Sequence, residues 1–147
     1  MKHLFIINPA AGSHDRTEEY SKLIRKVCGE KGIFCRIVVS AAPGDCRRLA
    51  REAAASGEEV RIYACGGDGT LNEVVAGLLQ LPEEKRPVLG YIPMGSANDF
   101  ARNLNLPKTV AEQAKLAAAG EGRYVDMGDS SGRTFTYVSA FGLFTEV

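Results

Sequence analysis

No apolar run in this 147-residue sequence approaches the ~20 residues that a membrane-spanning helix needs. The N-terminal stretch MKHLFIINPAAG has too short an apolar core for a signal peptide and is expected to be a first strand. Charge of either sign is not in excess: 18 Lys and Arg stand against 18 Asp and Glu. No global field therefore favours nucleic acid or an anionic membrane. The four cysteines, Cys28, Cys35, Cys46 and Cys65, show no metal-ligand spacing. They are expected to be small core residues in a reducing cytoplasm. There is no internal repeat and no low-complexity tract. What remains is ordinary for a soluble globular protein, with 45% hydrophobic and 24% charged residues, and the length suits one domain with a real core.

The informative stretch is VRIYACGGDGTLNEVVAGLL, Val60 to Leu79. Val60 to Cys65 reads as a buried strand. Gly66-Gly67-Asp68-Gly69 is a sharp turn. From Thr70 onward the apolar residues Leu71, Val74, Val75, Leu78 and Leu79 follow helical spacing, with Thr70 and Glu73 placed as a capping box. Glycines let an anion approach backbone amides closely, and a helix N-terminus offers unpaired amides and a positive dipole end. A phosphate is the natural guest. Asp68 repels a bare phosphate; it fits if Mg²⁺ lies between them, if it accepts a proton from a hydroxyl, or if it merely serves local amides. No Gly-Lys-Ser/Thr follows, so this is not a Walker A loop, and Asn72 stands where a third glycine of G-x-G-x-x-G would be.

Along the chain, His3 to Ile7 reads as the first strand, ending in the small-residue loop Asn8-Pro9-Ala10-Ala11-Gly12-Ser13. A helix is expected from His14 to about Glu30, a strand from Ile33 to Val39 ending at Ser40, and a helix from Asp45 to Ser56 whose Arg47, Arg48 and Arg51 form a solvated face. After a polar linker, Val88 to Ile92 is a fourth strand. It leads into Pro93-Met94-Gly95-Ser96-Ala97-Asn98-Asp99, a second glycine-hydroxyl helix start in which Ser96 and Asp99 could cap. Two such starts at one edge of a parallel sheet suit a nucleotide. Thr109 to Ala119 is a further helix with a Thr109–Glu112 capping box. Tyr124 to Met127 is a short strand, Gly128 to Gly132 a turn, and Arg133 to Ala140 alternates like an antiparallel strand. The order predicts an α/β fold, a mostly parallel sheet with helices on both faces. The apolar end, Phe141 to Val147, predicts an exposed strand edge and a tendency to form homo-oligomers.

Two blocks together carry a resemblance. Gly66-Gly67-Asp68-Gly69-Thr70 with Asn72-Glu73, and Pro93-x-Gly95-Ser96-x-Asn98-Asp99-Phe100-Ala101-Arg102, are similar to the diacylglycerol kinase catalytic domain family, closest to its soluble bacterial lipid kinases. Asn8-Pro9-x-x-Gly12 matches too, and the likeness covers nearly the whole chain. It implies a Rossmann-like sheet of the phosphofructokinase and NAD-kinase kind. It implies a nucleotide-binding domain over residues 1–128, and the start of a second, β-rich domain over 129–147 that breaks off. It implies transfer of the γ-phosphate of ATP, with Mg²⁺, to the hydroxyl of diacylglycerol or a related lipid at a membrane surface, by a cytoplasmic protein. The fragment alone is expected to be inactive. By matching position, Asn8, Pro9, Gly12, Ser40, Gly66, Gly67, Gly69, Thr70, Asn72 and Ser96 would line the ATP site. Asp68 would be catalytic, and Asp68, Asp99 and Asp126 would serve Mg²⁺, partly through water. Ser40 and Ser96 stand where the family often has Thr. The basic residue often found after the first-loop glycine is absent, Arg16 being the nearest. The competing readings are an NAD kinase-like transferase, disfavoured by the second block, and a non-catalytic nucleotide-binding module.

Overall fold

The computed structural model describes residues 1–136. The apolar end over residues 141–147, with the strand edge and self-association expected of it, lies outside the described residues, as do residues 137–140 of the strand expected from Arg133.

Four strands form one parallel sheet: β1 (Lys2–Ile7), β2 (Cys35–Val39), β3 (Val60–Gly66) and β4 (Leu89–Pro93), in the order β2-β1-β3-β4. Between and after them run α1 (Thr17–Glu30), α2 (Asp45–Ala55), α3 (Asp68–Leu78), the short α4 (Asp99–Asn103) and α5 (Val110–Ala119). A hairpin of β5 (Gly128–Ser130) and β6 (Arg133–Phe135) follows as a separate antiparallel pair.

Side chains alternate across the central strands, as a strand's period of two requires. Leu4, Ile6, Ile62, Ala64 and Tyr91 face one way and meet Cys46 and Ala50 of α2, Leu71, Val74, Val75 and Leu78 of α3, and Ala101 of α4. Phe5, Ile7, Tyr63, Cys65 and Ile92 face the other way, against Tyr20, Ile24, Val27 and Cys28 of α1 and Ala114 of α5. Two apolar layers thus sandwich the sheet, which is why β1 and β3 read as near-continuous apolar runs. The Phe5 and Tyr63 rings stack at 4.1 Å, and a stacked pair of this kind adds about 0.5–1.5 kcal/mol beyond its buried area. All four cysteines are free thiols, and Cys28, Cys46 and Cys65 are buried. Arg48 is paired with Asp45 and Glu52 on an exposed face of α2, and Arg51 donates to Gln80.

The element boundaries depart from expectation where polar side chains have distant partners. α1 begins at Thr17, not His14, because Asp15 Oδ1 accepts the Thr17 N–H at 2.8 Å. β2 begins at Cys35, two residues late. α3 begins at Asp68, two residues early, with Gly67 as its N-cap. The capping box of α5 does form: Thr109 Oγ1 accepts the Glu112 N–H at 3.3 Å and donates to its carboxylate at 2.7 Å. Tyr124 to Met127 is not a strand. The pairing falls one step later, on Gly128–Ser130, and the turn shrinks to Ser131-Gly132 at φ 53° and 80°. Two left-handed residues suit the tight twist of a two-residue hairpin.

In the strand order β2-β1-β3-β4 the chain leaves β1 toward one edge and returns on its other side at β3. The switch point of the sheet therefore lies between β1 and β3, where a crevice is expected at the carboxyl ends of the strands.

Candidate functional site

At that edge two glycine turns meet back to back. A Cβ on Gly95 would lie 2.6 Å from the Gly67 Cα, and one on Gly12 would lie 2.9 Å from the Met94 carbonyl oxygen. Gly12 also sits at φ 79°. The loop after β4 is thus packed backbone to backbone against the loops after β1 and β3, at distances only glycine allows. The Met94 N–H donates to the Gly66 carbonyl at 2.7 Å and the Asn8 N–H to the Cys65 carbonyl at 3.0 Å, extending the sheet ladder into the turns.

The polar residues of Asp68 to Glu73 reach outward, each to a different segment. Asp68 accepts the N–H of Asp99 at 3.0 Å and of Phe100 at 3.2 Å, one on each carboxylate oxygen. It therefore caps α4 from 31 residues away, and neither Ser96 nor Asn98 supplies a side-chain cap there. Thr70 is buried and accepts from Asn8 Nδ2 at 2.9 Å. Asn72 accepts both the N–H and the hydroxyl of Thr136, at 2.9 and 2.8 Å. Glu73 accepts the Gly44 N–H at 3.1 Å. The expected Thr70–Glu73 capping box is accordingly not formed; both side chains hold loops, and α3 has no side-chain cap at all. Its first amides, of Asp68, Gly69 and Thr70, remain available at the positive end of an 11-residue helix.

Gly66, Gly67, Asp68, Gly69 and Thr70 form the turn itself. A Cβ on Gly69 would meet nothing within 4 Å among the described residues, so the flank of α3 is open at its first turn. Ser96 is exposed beside Gly95, and the Asn98 side chain pins that loop by accepting the Gly95 N–H at 2.9 Å and donating to its carbonyl at 2.8 Å. Asn8 and Pro9, half-buried, and Gly12 line the β1 side. Ser40 is buried, its N–H on the Ile7 carbonyl at 2.9 Å and its hydroxyl against the Cys46 thiol. It braces the edge from beneath. Of the acidic residues, Asp68 and Asp99 are brought together through the Asp99 N–H, while the Asp99 carboxylate leans to Arg102 at 3.4 Å. Asp126 is exposed on the strandless stretch before β5. Among the described residues no three His, Cys, Asp or Glu side chains gather closely enough to hold a metal ion, so Asp68, Asp99 and Asp126 do not form a ready-made cluster.

Tyr91 was not legible as part of this edge. It is buried in β4, its hydroxyl has no hydrogen-bond partner among the described residues, and its ring tilts against Phe100 at 6.3 Å. Burial first, and the negative charge of Asp68 second, push its ionisation well above the ordinary tyrosine value. A lone phenol inside an apolar strand was the available signal, since a buried tyrosine hydroxyl usually has company.

The family model of the diacylglycerol kinase catalytic domain matches residues 2–130. The chain belongs to this family. It is 42% identical over 118 residues to a protein of Chromohalobacter salexigens named "Probable lipid kinase YegS-like", covering 80% of this chain and 38% of that protein. It is 33% identical over 141 residues to a Yersinia pestis protein of the same name, covering 96% and 46%. A crystal structure of a diacylglycerol kinase from Bacillus anthracis Sterne superposes with a TM-score of 0.76 at 33% identity, over 91% of this chain and 45% of that one. The chain thus spans less than half the length of these relatives. The diacylglycerol kinase family membership sets aside the NAD kinase-like reading, and it fits the mostly parallel α/β sheet described above. No helix among the described residues is long and apolar enough to cross a membrane.

Proposed function

We propose that this chain is the nucleotide-binding part of a lipid kinase that transfers the γ-phosphate of ATP, with Mg²⁺, to the hydroxyl of diacylglycerol or a related lipid. The observation that carries the reading is the uncapped start of α3 beneath open space at Gly69, faced by the second glycine turn at Gly95 and Ser96. An anion fits there: amides donate to it, the dipole favours it, and no Cβ stands in its way. Asn8, Pro9, Gly12, Ser40, Gly66, Thr70 and Asn72 hold the walls of the crevice. Asp68 and Asp99 suit Mg²⁺, an ion usually held by one or two carboxylates together with phosphate oxygens and water, so a three-residue cluster is not required. Bound Mg²⁺ would supply charge neutralisation at the phosphates. Asp126 would join through water.

Phosphoryl transfer asks a protein chiefly for positioning and for fixed positive ends near the phosphates. The α3 amides provide these without reorganising, because the four tethers already hold the turn. The Asp68 carboxylate, with its oxygens fixed by the α4 amides, would accept the proton of the attacking hydroxyl or orient the metal. Residues 1–128 would form the nucleotide domain and 129–147 the beginning of a β-rich second domain that completes the lipid cleft. The protein would work in the cytoplasm and meet its lipid at the membrane surface. The test is transfer of label from γ-labelled ATP to diacylglycerol in mixed micelles by the full-length protein, with and without Mg²⁺. Label in the lipid only with Mg²⁺ is expected; none under any metal would refute the reading.

A further inference from the structure

Thr136, one residue past β6, makes a doubled contact that serves no glycine turn. Its N–H and its hydroxyl both donate to Asn72 Oδ1, at 2.9 and 2.8 Å. A backbone N–H can only donate, so the atom facing it must be the amide oxygen, and this fixes which way the Asn72 amide is turned. Two donors fill that oxygen's two lone pairs. The Nδ2 group is thereby directed away from Thr136, and among the described residues it meets no acceptor. Asn72 stands one turn after Asp68 on the same face of α3, and helical side chains lean toward the N-terminus. Among the described residues the one asparagine of α3 is thus held by its oxygen alone, with two amide hydrogens left to offer, four residues from Asp68.

We propose that Thr136 is a positioning residue for the nucleotide site, clamping Asn72 so that its amide hydrogens serve the phosphate bound at the start of α3. The proposal rests on the nucleotide reading above. It also makes the clasp a mechanical link, because the segment leaving β6 is tied to the same helix that holds the anion.

Three variants of the full-length protein test it, each measured for Mg-ATP affinity by calorimetry and for melting temperature. Asn72→Asp keeps the oxygen that Thr136 needs and removes the amide hydrogens. It should bind Mg-ATP at least roughly ten- to hundredfold more weakly, from losing a hydrogen bond to a charged group and setting a negative charge near the phosphate, while melting within a few degrees of the native protein. Thr136→Val keeps shape and N–H but loses the hydroxyl; a weakening of about two- to tenfold is expected from one net hydrogen bond. Thr136→Ser should restore native affinity. Native affinity in Thr136→Val or in Asn72→Asp overturns the positioning role and leaves a purely structural clasp. So does a loss of affinity that merely follows the loss of melting temperature across the three. A native protein that binds no Mg-ATP overturns both this proposal and the nucleotide reading.

Discussion

The Asp68 carboxylate accepts the backbone N–H of Asp99 at 3.0 Å, so the one acidic residue of the first glycine turn caps the helix that follows the second. With the Phe100 N–H on its other oxygen, Asp68 stitches the two halves of the crevice together. Its place between two glycines therefore has a structural cause as well as a proposed chemical one.

Both roles can be separated by substitution. Asp68→Asn keeps one oxygen for the α4 amides and should cost about 1 kcal/mol, in line with weakening a cap, whereas Asp68→Ala frees both amides and should cost more. The lipid phosphorylation proposed above should fall about 10²–10⁴-fold in Asp68→Asn, the range for losing a positioned acid–base group. Melting curves and lipid phosphorylation on one preparation check this. Turnover kept near native, with only the melting point lowered, would leave Asp68 as a cap alone.

Gly69 and Gly95 should respond in opposite ways. A Cβ at Gly69 enters open space within a helix, so Gly69→Ala should keep stability or raise it by up to about 1 kcal/mol, the propensity gain over glycine. It should nevertheless weaken Mg-ATP binding, because the added methyl occupies the approach to the amides. A Cβ at Gly95 would collide with the Gly67 backbone, and Gly95→Ala should cost about 1–3 kcal/mol, as overpacking does. Equal stability losses in the two variants, by chemical denaturation, would contradict this.

The opposite edge of the sheet carries a pH dependence of its own. His3 is buried with Nδ1 2.6 Å from the Tyr63 hydroxyl. Burial, then the charge of Arg61 and of the N-terminus, hold its pKa below the usual histidine value. The unfolded chain therefore takes up the proton first. Stability should be constant above about pH 6.5, the free histidine value, and fall as pH drops below it toward the lowered native pKa. His3→Gln should flatten that slope in melting temperature against pH. An unchanged slope would assign it to other groups.

Much of the architecture was legible because periodicity and glycine report directly on backbone needs. The Leu71, Val74, Val75 and Leu78 stripe marked α3, and the apolar runs of β1 and β3 marked buried parallel strands. Thr70 and Glu73 misled because their spacing is that of a capping box, while their partners, Asn8 and Gly44, lie 62 and 29 residues away. Nothing local distinguishes a side chain that caps its own helix from one that holds a distant loop. The start of α3 was missed for a related reason: its cap, Gly67, has no side chain to announce it. The Asn72–Thr136 clasp joins residues 64 apart and leaves no local pattern.

The central claim is that the first-turn amides of α3 hold the phosphates. Backbone ¹⁵N spectra of the protein titrated with Mg-ATP address it directly. The largest shifts are expected at the amides of Asp68, Gly69 and Thr70, with lesser ones at Gly95 and Ser96 and none around His3 and Phe34 at the far edge. Saturable binding that leaves the Asp68, Gly69 and Thr70 amides unmoved would contradict it.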